Sequence, residues 1–444
     1  MISKWYGKDL RLGVLGGGQL GRMLIQAAND LNIHIHCLDP DPNAPCSEIA
    51  HSFSCGSLTD YNTVLNFGSD KHLITVEIEN VNVDALVEAV GRTARISPVD
   101  EFDAHELANT ALQAMSQSFD SRWGGFGSAP KFPSTFALDL AMRLYQRSHD
   151  DQLLNMVNTS LDAMAAGGMY DHIGGGFSRY SVDEKWLVPH FEKMLYDQAL
   201  LLRTYTHAWL IEQHDRHRQT AEEIMSYVIN EMCHSDGGFY SAEDADSLDE
   251  HGHSEEGAFY TWTPLEVISV LGKDSAAALE WWNIADGGNF EGRSIPHRIP
   301  QRGSLQRTPE VESARHRLFV HRATRSRPGL DNKVLTEWNA MMLSSLCESI
   351  SAFDRHDLVP IAEKNAQFLV SELRNADGVL SRSWQEDAVP HSQHSALAHD
   401  LAHVVDAMTR MYELTATHTW LQIATETAHQ LINEYWDLEH GGLF

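Results

Sequence analysis

Residues 169–177 read MYDHIGGGF: an aromatic and an aspartate open a turn, three glycines carry it, and a second aromatic closes it. The figure recurs as FDSRWGGFG at 119–127, HSDGGFYS at 234–241, NADGVLSRS at 375–383 and WDLEHGGLF at 436–444. Gly125 to Gly175 is 50 residues, Gly175 to Gly238 is 63, and Gly378 to Gly442 is 64. Between the first copies lie amphipathic stretches of helical period, such as AHELANTALQAMSQSF, FALDLAMRLYQRSH and DQLLNMVNTSLDAMAAGG. A period of this length is one helical hairpin plus a decorated loop, which predicts an all-α toroid of helix pairs. The wider gap from Gly238 to Gly378 predicts a further hairpin and an insertion.

Ahead of about Asp103 the texture is different. LRLGVLG, residues 10–16, is an apolar run stopped by glycine, followed by a helical pattern from Gln19 to Leu31 and by IHIHCLD, which ends on Asp39. SFSCG, DYNTVLNF and HLITVEIEN continue the alternation, so a parallel α/β sheet of Rossmann-like type is expected. Gly16, Gly18 and Gly21 fit G-x-G-x-x-G, where small residues let backbone approach an anion, and Asp39 falls where such folds place a ribose-binding acid. A tight helix–strand turn with no ligand is the competing reading. The whole is multidomain, with residues 1–87 as the α/β domain, 88–104 as a junction and 105–444 as the α/α toroid.

Composition narrows the partners. Thirty-three Lys and Arg face 62 Asp and Glu, a net charge of −29, which disfavours nucleic acid and anionic membranes. No apolar run approaches the ~20 residues of a bilayer span, and MISKWYGKDLR lacks the apolar core of a signal peptide, so a cytoplasmic protein is expected. The five cysteines form no C-x-x-C pair and no disulfide framework. No metal and no cofactor is assigned; a small-molecule or sugar ligand is the expected partner.

Two resemblances sharpen this. GVLGGGQLGRML, LDPDPNAPCSEIAH and ITVEIENV, over residues 8–86, resemble the amino-terminal domain of 5-(carboxyamino)imidazole ribonucleotide synthase, an ATP-grasp enzyme of purine biosynthesis. That resemblance implies nucleotide-side contacts at Gly16, Gly18, Gln19, Leu20, Gly21 and Asp39, and polar substrate contacts near Glu77 and Glu79. Neither the lysine-bearing strand nor the metal-binding carboxylates of the later domains follow Leu86, so synthase activity is not expected. GGFGSAPKFP, GGMYDHIGGGFSRYSVDEKWLVPHFEKMLYDQALLL, DGGFYSAEDADS, GAFYTWT, GNFEG and DNKVLTEWNAMM, over residues 88–444, resemble the spermatogenesis-associated protein 20 family of thioredoxin-domain proteins. Its helical part is similar to six-hairpin glycosidases and sugar epimerases. The family's thioredoxin-like domain is replaced here by the purine-enzyme piece, and the chain stops within the WD..GGLF motif, which suggests a chimeric or truncated reading frame.

In such a toroid, loops at one end line a cavity suited to acid–base work on a sugar. The expected catalytic groups are Asp171, His172, His190, Glu192, Asp197, Glu243, Asp244 and Asp331, with Arg179, Tyr180, Trp186, Lys333 and Trp338 binding substrate. Pro189 is expected to open a helix on which His190 and Asp197 share one face. Glu243, Asp244 and Asp246 crowd acids so that one can stay protonated. Each has a plainer reading: Asp171 and Asp236 as turn-capping residues, His190 in a core hydrogen bond, the EDAD run as a calcium-type cluster or solvated loop, and DEHGHSEEG at 249–257 as a mobile acidic loop. A non-enzymatic scaffold or ligand-binding module is the alternative to catalysis.

Overall fold

The computed structural model describes residues 10–30, 33–77, 80–86, 104–249, 251–374, 379–386, 391–438 and 442–443. The chain divides into two compact units, residues 1–101 with 438–441 and residues 102–437 with 442–444.

In the first unit, β1 (Arg11–Leu15), α1 (Gln19–Asp30), β2 (His34–Asp39), β3 (Ser52–Cys55), α2 (Tyr61–Gly68) and β4 (Leu73–Val76) build a four-stranded parallel sheet of order β3-β2-β1-β4. The two-residue period of a strand sends Leu12, Val14, Ile35 and Cys37 to one apolar cluster, while Leu15 and Leu38 join Val64 and Phe67 in another. A sheet buried on both faces explains why LRLGVLG reads as a continuous apolar run.

The second unit is built of helical hairpins. After α3 (Ala104–Ser118) come α4 (Thr135–Ser148) with α5 (Asp151–Ala166), and α6 (Leu195–Glu212) with α7 (Asp215–Glu231). Three helices follow as an insertion, α8 (Pro264–Leu271), α9 (Ser275–Trp281) and α10 (Pro309–Arg322), around a core of Trp262, Trp282 and Leu318. Then come α11 (Thr336–Phe353) with α12 (Val359–Ser371), and α13 (Ala398–Thr415) with α14 (His418–Tyr435). Helix α4 packs on α6, α6 on α11 and α11 on α13, while each hairpin partner packs outside. This double row is the α/α-toroid arrangement. Inner helices are covered on several sides, so α6 buries Leu195, Ala199, Leu202 and Tyr205 without a single apolar stripe.

Each glycine turn closes on one antiparallel bridge, Phe119 with Phe126, Tyr170 with Phe177, Cys233 with Phe239, Arg374 with Leu380, and Trp436 with Leu443. At the second and third turns the closing Phe exchanges both backbone hydrogen bonds with an amide side chain from the next inner helix. Gln198 accepts from Phe177 N at 2.8 Å and donates to its carbonyl at 2.7 Å; Asn339 does the same for Phe239 at 2.7 and 2.9 Å. The turn also seats on the outer helix of that next hairpin, where Gly175, at φ +80°, leaves only 2.5 Å between a built Cβ and Glu223 O. Glycine is required there by both conformation and space.

Two local expectations are corrected. Pro189 opens no helix: β5 (Tyr180–Ser181) pairs antiparallel with β6 (Pro189–His190), and β7 (Lys193–Met194) pairs with β8 (Ala242–Glu243), which also pairs β11 (Leu330–Asp331). Pro189, Phe191 and Lys193 are buried while His190, Glu192 and Met194 are partly open, the period of a strand, so His190 and Asp197 share no helix face. The acidic stretch is ordered as a hairpin of β9 (Asp246–Leu248) and β10 (Ser254–Glu256).

Gly175→Ala is expected to destabilise by about 2 kcal/mol or more, combining left-handed strain with overpacking. Gly287→Ala, at φ +83° with open space around it, should cost only about 1 kcal/mol. Equal denaturation midpoints for the two variants would contradict this account of the turn.

Candidate functional site

The sequence-derived candidates separate into two groups. Asp171, His172, Glu243 and Trp186 are structural. Asp171 Oδ1 accepts from Ile173 N at 3.0 Å, Gly174 N at 2.9 Å and Arg322 at 2.8 Å, and Oδ2 accepts from Lys193 Nζ at 2.9 Å. Burial opposes its charge, but Arg322 and Lys193 outweigh it and hold the carboxyl well below the ordinary range. His172 is 2% exposed, donates from Nε2 to Gly167 O at 3.0 Å, and is pushed down to about 3 by burial, so the ring is uncharged at neutral pH. Glu243 accepts from Tyr227 OH at 2.6 Å and Arg327 at 2.8 Å. Trp186 is fully buried, with Nε1 donating to Trp123 O at 2.8 Å, and offers no platform to a ligand. Asp244 is exposed and accepts from Asp246 N at 3.3 Å, and Asp331 pairs with Lys333 at 3.2 Å on an open edge.

The second group converges at the amino-terminal ends of the inner helices. The β6–β7 stretch presents His190 and Glu192, and α6 begins directly after it with Tyr196 and Asp197 in its first turn. Arg179 donates to Glu192 Oε2 and to Tyr196 OH, each at 3.2 Å. Tyr196 meets the Trp338 ring edge to face at 4.9 Å, which joins the start of α6 to that of α11. His190 stacks on Tyr180 at 5.2 Å, donates from Nδ1 to Glu256 Oε1 at 2.8 Å, and turns Nε2 toward Glu192 at 3.7 Å. Glu192 and then Glu256 raise the His190 pKa against the opposing effect of burial. His190 in turn, followed by Arg179, holds Glu192 below its ordinary value.

Asp197 stands apart from its neighbours. It is 8% exposed, and its Oδ2 has no hydrogen-bond partner among the described residues. Burial pushes its carboxyl up to about 8, with Arg179 opposing and the Glu192 charge adding to the rise. Asp197 is thus held neutral while Glu192, whose charge acts on it, stays ionised.

The cluster continues onto α13. Glu337 lies 3.4 Å from His399 Nε2 and 3.9 Å from His403 Nε2. Donor atoms of Glu337, His399 and Asp400 all lie within 4.8 Å of one another. Asp400, however, already accepts from Leu397 N at 2.8 Å, Glu337 N at 3.1 Å and Arg382 at 3.2 Å, so it serves as a clamp between two helix starts and poorly as a metal ligand. Glu256, Tyr196, Glu337, His399 and His403 escaped the sequence reading. Their common signal is position in the first turn or two of an inner helix, except for Glu256, which the hairpin delivers.

In the first unit, Gly17 N donates to Asp39 Oδ2 at 2.6 Å and Gly18 N to Glu77 Oε2 at 3.0 Å, and a Cβ on Gly21 would lie 2.6 Å from Glu77 Oε2. The loop turns at Gly16, φ +106°. Gln19 and Leu20 open α1, and Glu79 lies outside the described residues.

Comparison with known proteins agrees with this division. Most of the chain resembles spermatogenesis-associated protein 20. The human protein of that name is 33% identical over 383 residues, covering 77% of this chain and 48% of the relative. The chain thus spans about half the length of the curated relatives it matches. Residues 10–104 match the family described as the ribonucleotide synthetase preATP-grasp domain. N5-carboxyaminoimidazole ribonucleotide synthase of Staphylococcus haemolyticus is 37% identical over 76 residues, 17% of this chain and 20% of that enzyme. Among solved structures, a GH76 α-mannanase of Bacteroides thetaiotaomicron aligns over 78% of this chain and 74% of its own, at 11% identity and a TM-score of 0.49. No helix among the described residues is long and apolar enough to cross a membrane.

Asp197 is neutral in the folded chain up to about pH 8 but ionises near pH 4 when unfolded, so its contribution to stability is full below about pH 4 and is lost as pH rises through about 8. Asp197→Asn should therefore melt higher than the parent at about pH 8 and at the same temperature at about pH 4; a difference independent of pH would refute the assignment. Glu256→Gln should lower the His190 titration midpoint, read by imidazole proton NMR, by on the order of one pH unit; an unchanged midpoint would uncouple the pair.

Proposed function

We propose that the helical unit carries out acid–base chemistry on a carbohydrate, with Asp197 as proton donor and Glu192, linked to His190, as the ionised partner. The observation that carries this reading is Asp197 itself: a buried, unpartnered, protonated carboxyl next to a carboxylate held in its charged form. Burying an ionisable group without a partner costs stability, and a pure scaffold gains nothing from it. Trp338 supplies an apolar face for a sugar ring, and Arg179 and Glu192 supply donor and acceptor for its hydroxyls, while Tyr180 is covered by its ring neighbours. Opposed protonation states at neighbouring carboxyls are what both glycosidic cleavage and proton transfer at a sugar carbon need.

The amino-terminal unit supports a ribonucleotide-binding reading less well, because the Gly17 and Gly18 amides that would meet an anion are engaged by Asp39 and Glu77. We place the chemistry in the cytoplasm, in keeping with five free thiols.

The test is to incubate the full chain with a panel of reducing sugars and glycosides and follow anomeric signals by NMR. Turnover is expected with the parent, with a loss of at least about 100-fold in Asp197→Asn and in Glu192→Gln. Turnover that survives Asp197→Asn, or a panel left wholly unchanged by the parent, would refute the reading.

A further inference from the structure

From His190 of the acid–base cluster a row of rings runs outward to Phe132, which the chemistry above does not use. Lys131 and Ser181 exchange backbone hydrogen bonds at 2.8 and 2.9 Å, and Tyr180 pairs in register with His190. Antiparallel pairing therefore sets Phe132, Tyr180 and His190 side by side across three short extended segments, on one face. The rings stack accordingly, Phe132 on Tyr180 at 4.9 Å and 28°, and Tyr180 on His190 at 5.2 Å and 27°. The inner end of the row is His190, against Glu192 and Glu256. The outer end is Phe132, 39% exposed although main-chain pairing fixes the segment that carries it.

We propose that Phe132 is an outer subsite for a sugar chain, so that the substrate is an oligosaccharide and not a single sugar. This rests on the reading of Asp197 as the acid of a carbohydrate site. A pyranose has one apolar face and a rim of hydroxyls, and a fixed, exposed phenyl ring covers such a face without first having to be ordered. A ring stacked on the far side by Tyr180 has one face left for a ligand, and Phe132 lies two ring spacings from the histidine of the cluster. A unit bound there is too distant to be the one that reacts at Asp197. The row is continuous with the acid–base groups, which ties its occupant to the same ligand. Val182, at 48% exposed, follows two residues after Tyr180, and Phe136, at 75%, lies in the first turn of α4.

The experiment is calorimetric titration of the full chain with maltose-, cellulose- and mannan-derived oligosaccharides of one to five units. For at least one series, affinity should rise about tenfold or more between one and three units, an increment of about 1.4 kcal/mol. Phe132→Ala should abolish that increment and leave single-sugar affinity unchanged, while Phe132→Tyr, which keeps the stack, should retain it. Thermal melting of both variants near the parent's temperature shows that the segment is intact. Single sugars bound with no dependence on chain length, or an increment that survives Phe132→Ala, would overturn the subsite and leave the acid–base reading standing. Binding of no sugar by the parent would overturn both.

Discussion

The buried ammonium of Lys193 is the interaction on which the candidate site depends. It is 1% exposed, binds Asp171 at 2.9 Å and Gly175 O at 3.0 Å, and lies over the rings of Tyr227 and Tyr260 at 4.3 and 4.8 Å. Burial pulls its pKa down and Asp171 opposes that. Removing Asp171 would strand that ammonium in the interior, at a cost of roughly 3–5 kcal/mol. Because Lys193 faces inward on an extended segment, Glu192 must face outward, His190 falls on the same side as Glu192, and α6 begins at a fixed place with Asp197 in its first turn. The first turn repeats the device: Lys131 binds Asp120 at 2.5 Å and Gly124 O at 2.9 Å, and thereby anchors the segment that carries Phe132. One clamp, used twice, positions both ends of the aromatic row.

Asp171 and Asp197 show how the same side chain is put to opposite uses. Both are buried, and burial alone disfavours the charge of each. Two cations and two backbone amides settle Asp171 as a carboxylate and use up its oxygens. Asp197 has only the more distant Arg179 in its favour and the Glu192 charge against it. The first is thereby held as a structural carboxylate, and the second is kept neutral, the state the proposed proton donor requires. The protonation state of each follows from the groups its environment supplies, and not from the identity of the residue.

Much of the architecture was legible in the chain. The glycine turns announced the hairpin repeat because a left-handed backbone pressed against a helix admits no Cβ, and that requirement is written one residue at a time. The apolar run LRLGVLG and the alternating IHIHCLD marked the parallel sheet, because burial on both faces or on one is also written residue by residue. The site was legible in part. Arg179, Tyr180, His190, Glu192, Asp197 and Trp338 were named from the sequence, and the structure gathers them at one end of the inner helices. His190 was assigned to the wrong element, since Pro189 fits the start of a helix and a strand edge equally well; only the alternation of buried Phe191 and Lys193 decides it. Glu256, Glu337, His399 and His403 carried no local mark, because each reaches the cluster from a segment far away in the chain.

What the sequence by itself determined is periodicity: the glycine turns, the apolar stripes and the two-residue alternation, all properties of backbone geometry and burial that act over a few residues. Tertiary structure alone decided which acids are charged. Aspartates and glutamates near repeated turns look alike in a chain of 62 acidic residues. Whether one of them meets Lys193 and Arg322, or is enclosed with no donor, depends on groups brought from tens or hundreds of positions away, and the electrostatic energy of a buried carboxyl is set by those groups and by the water they exclude.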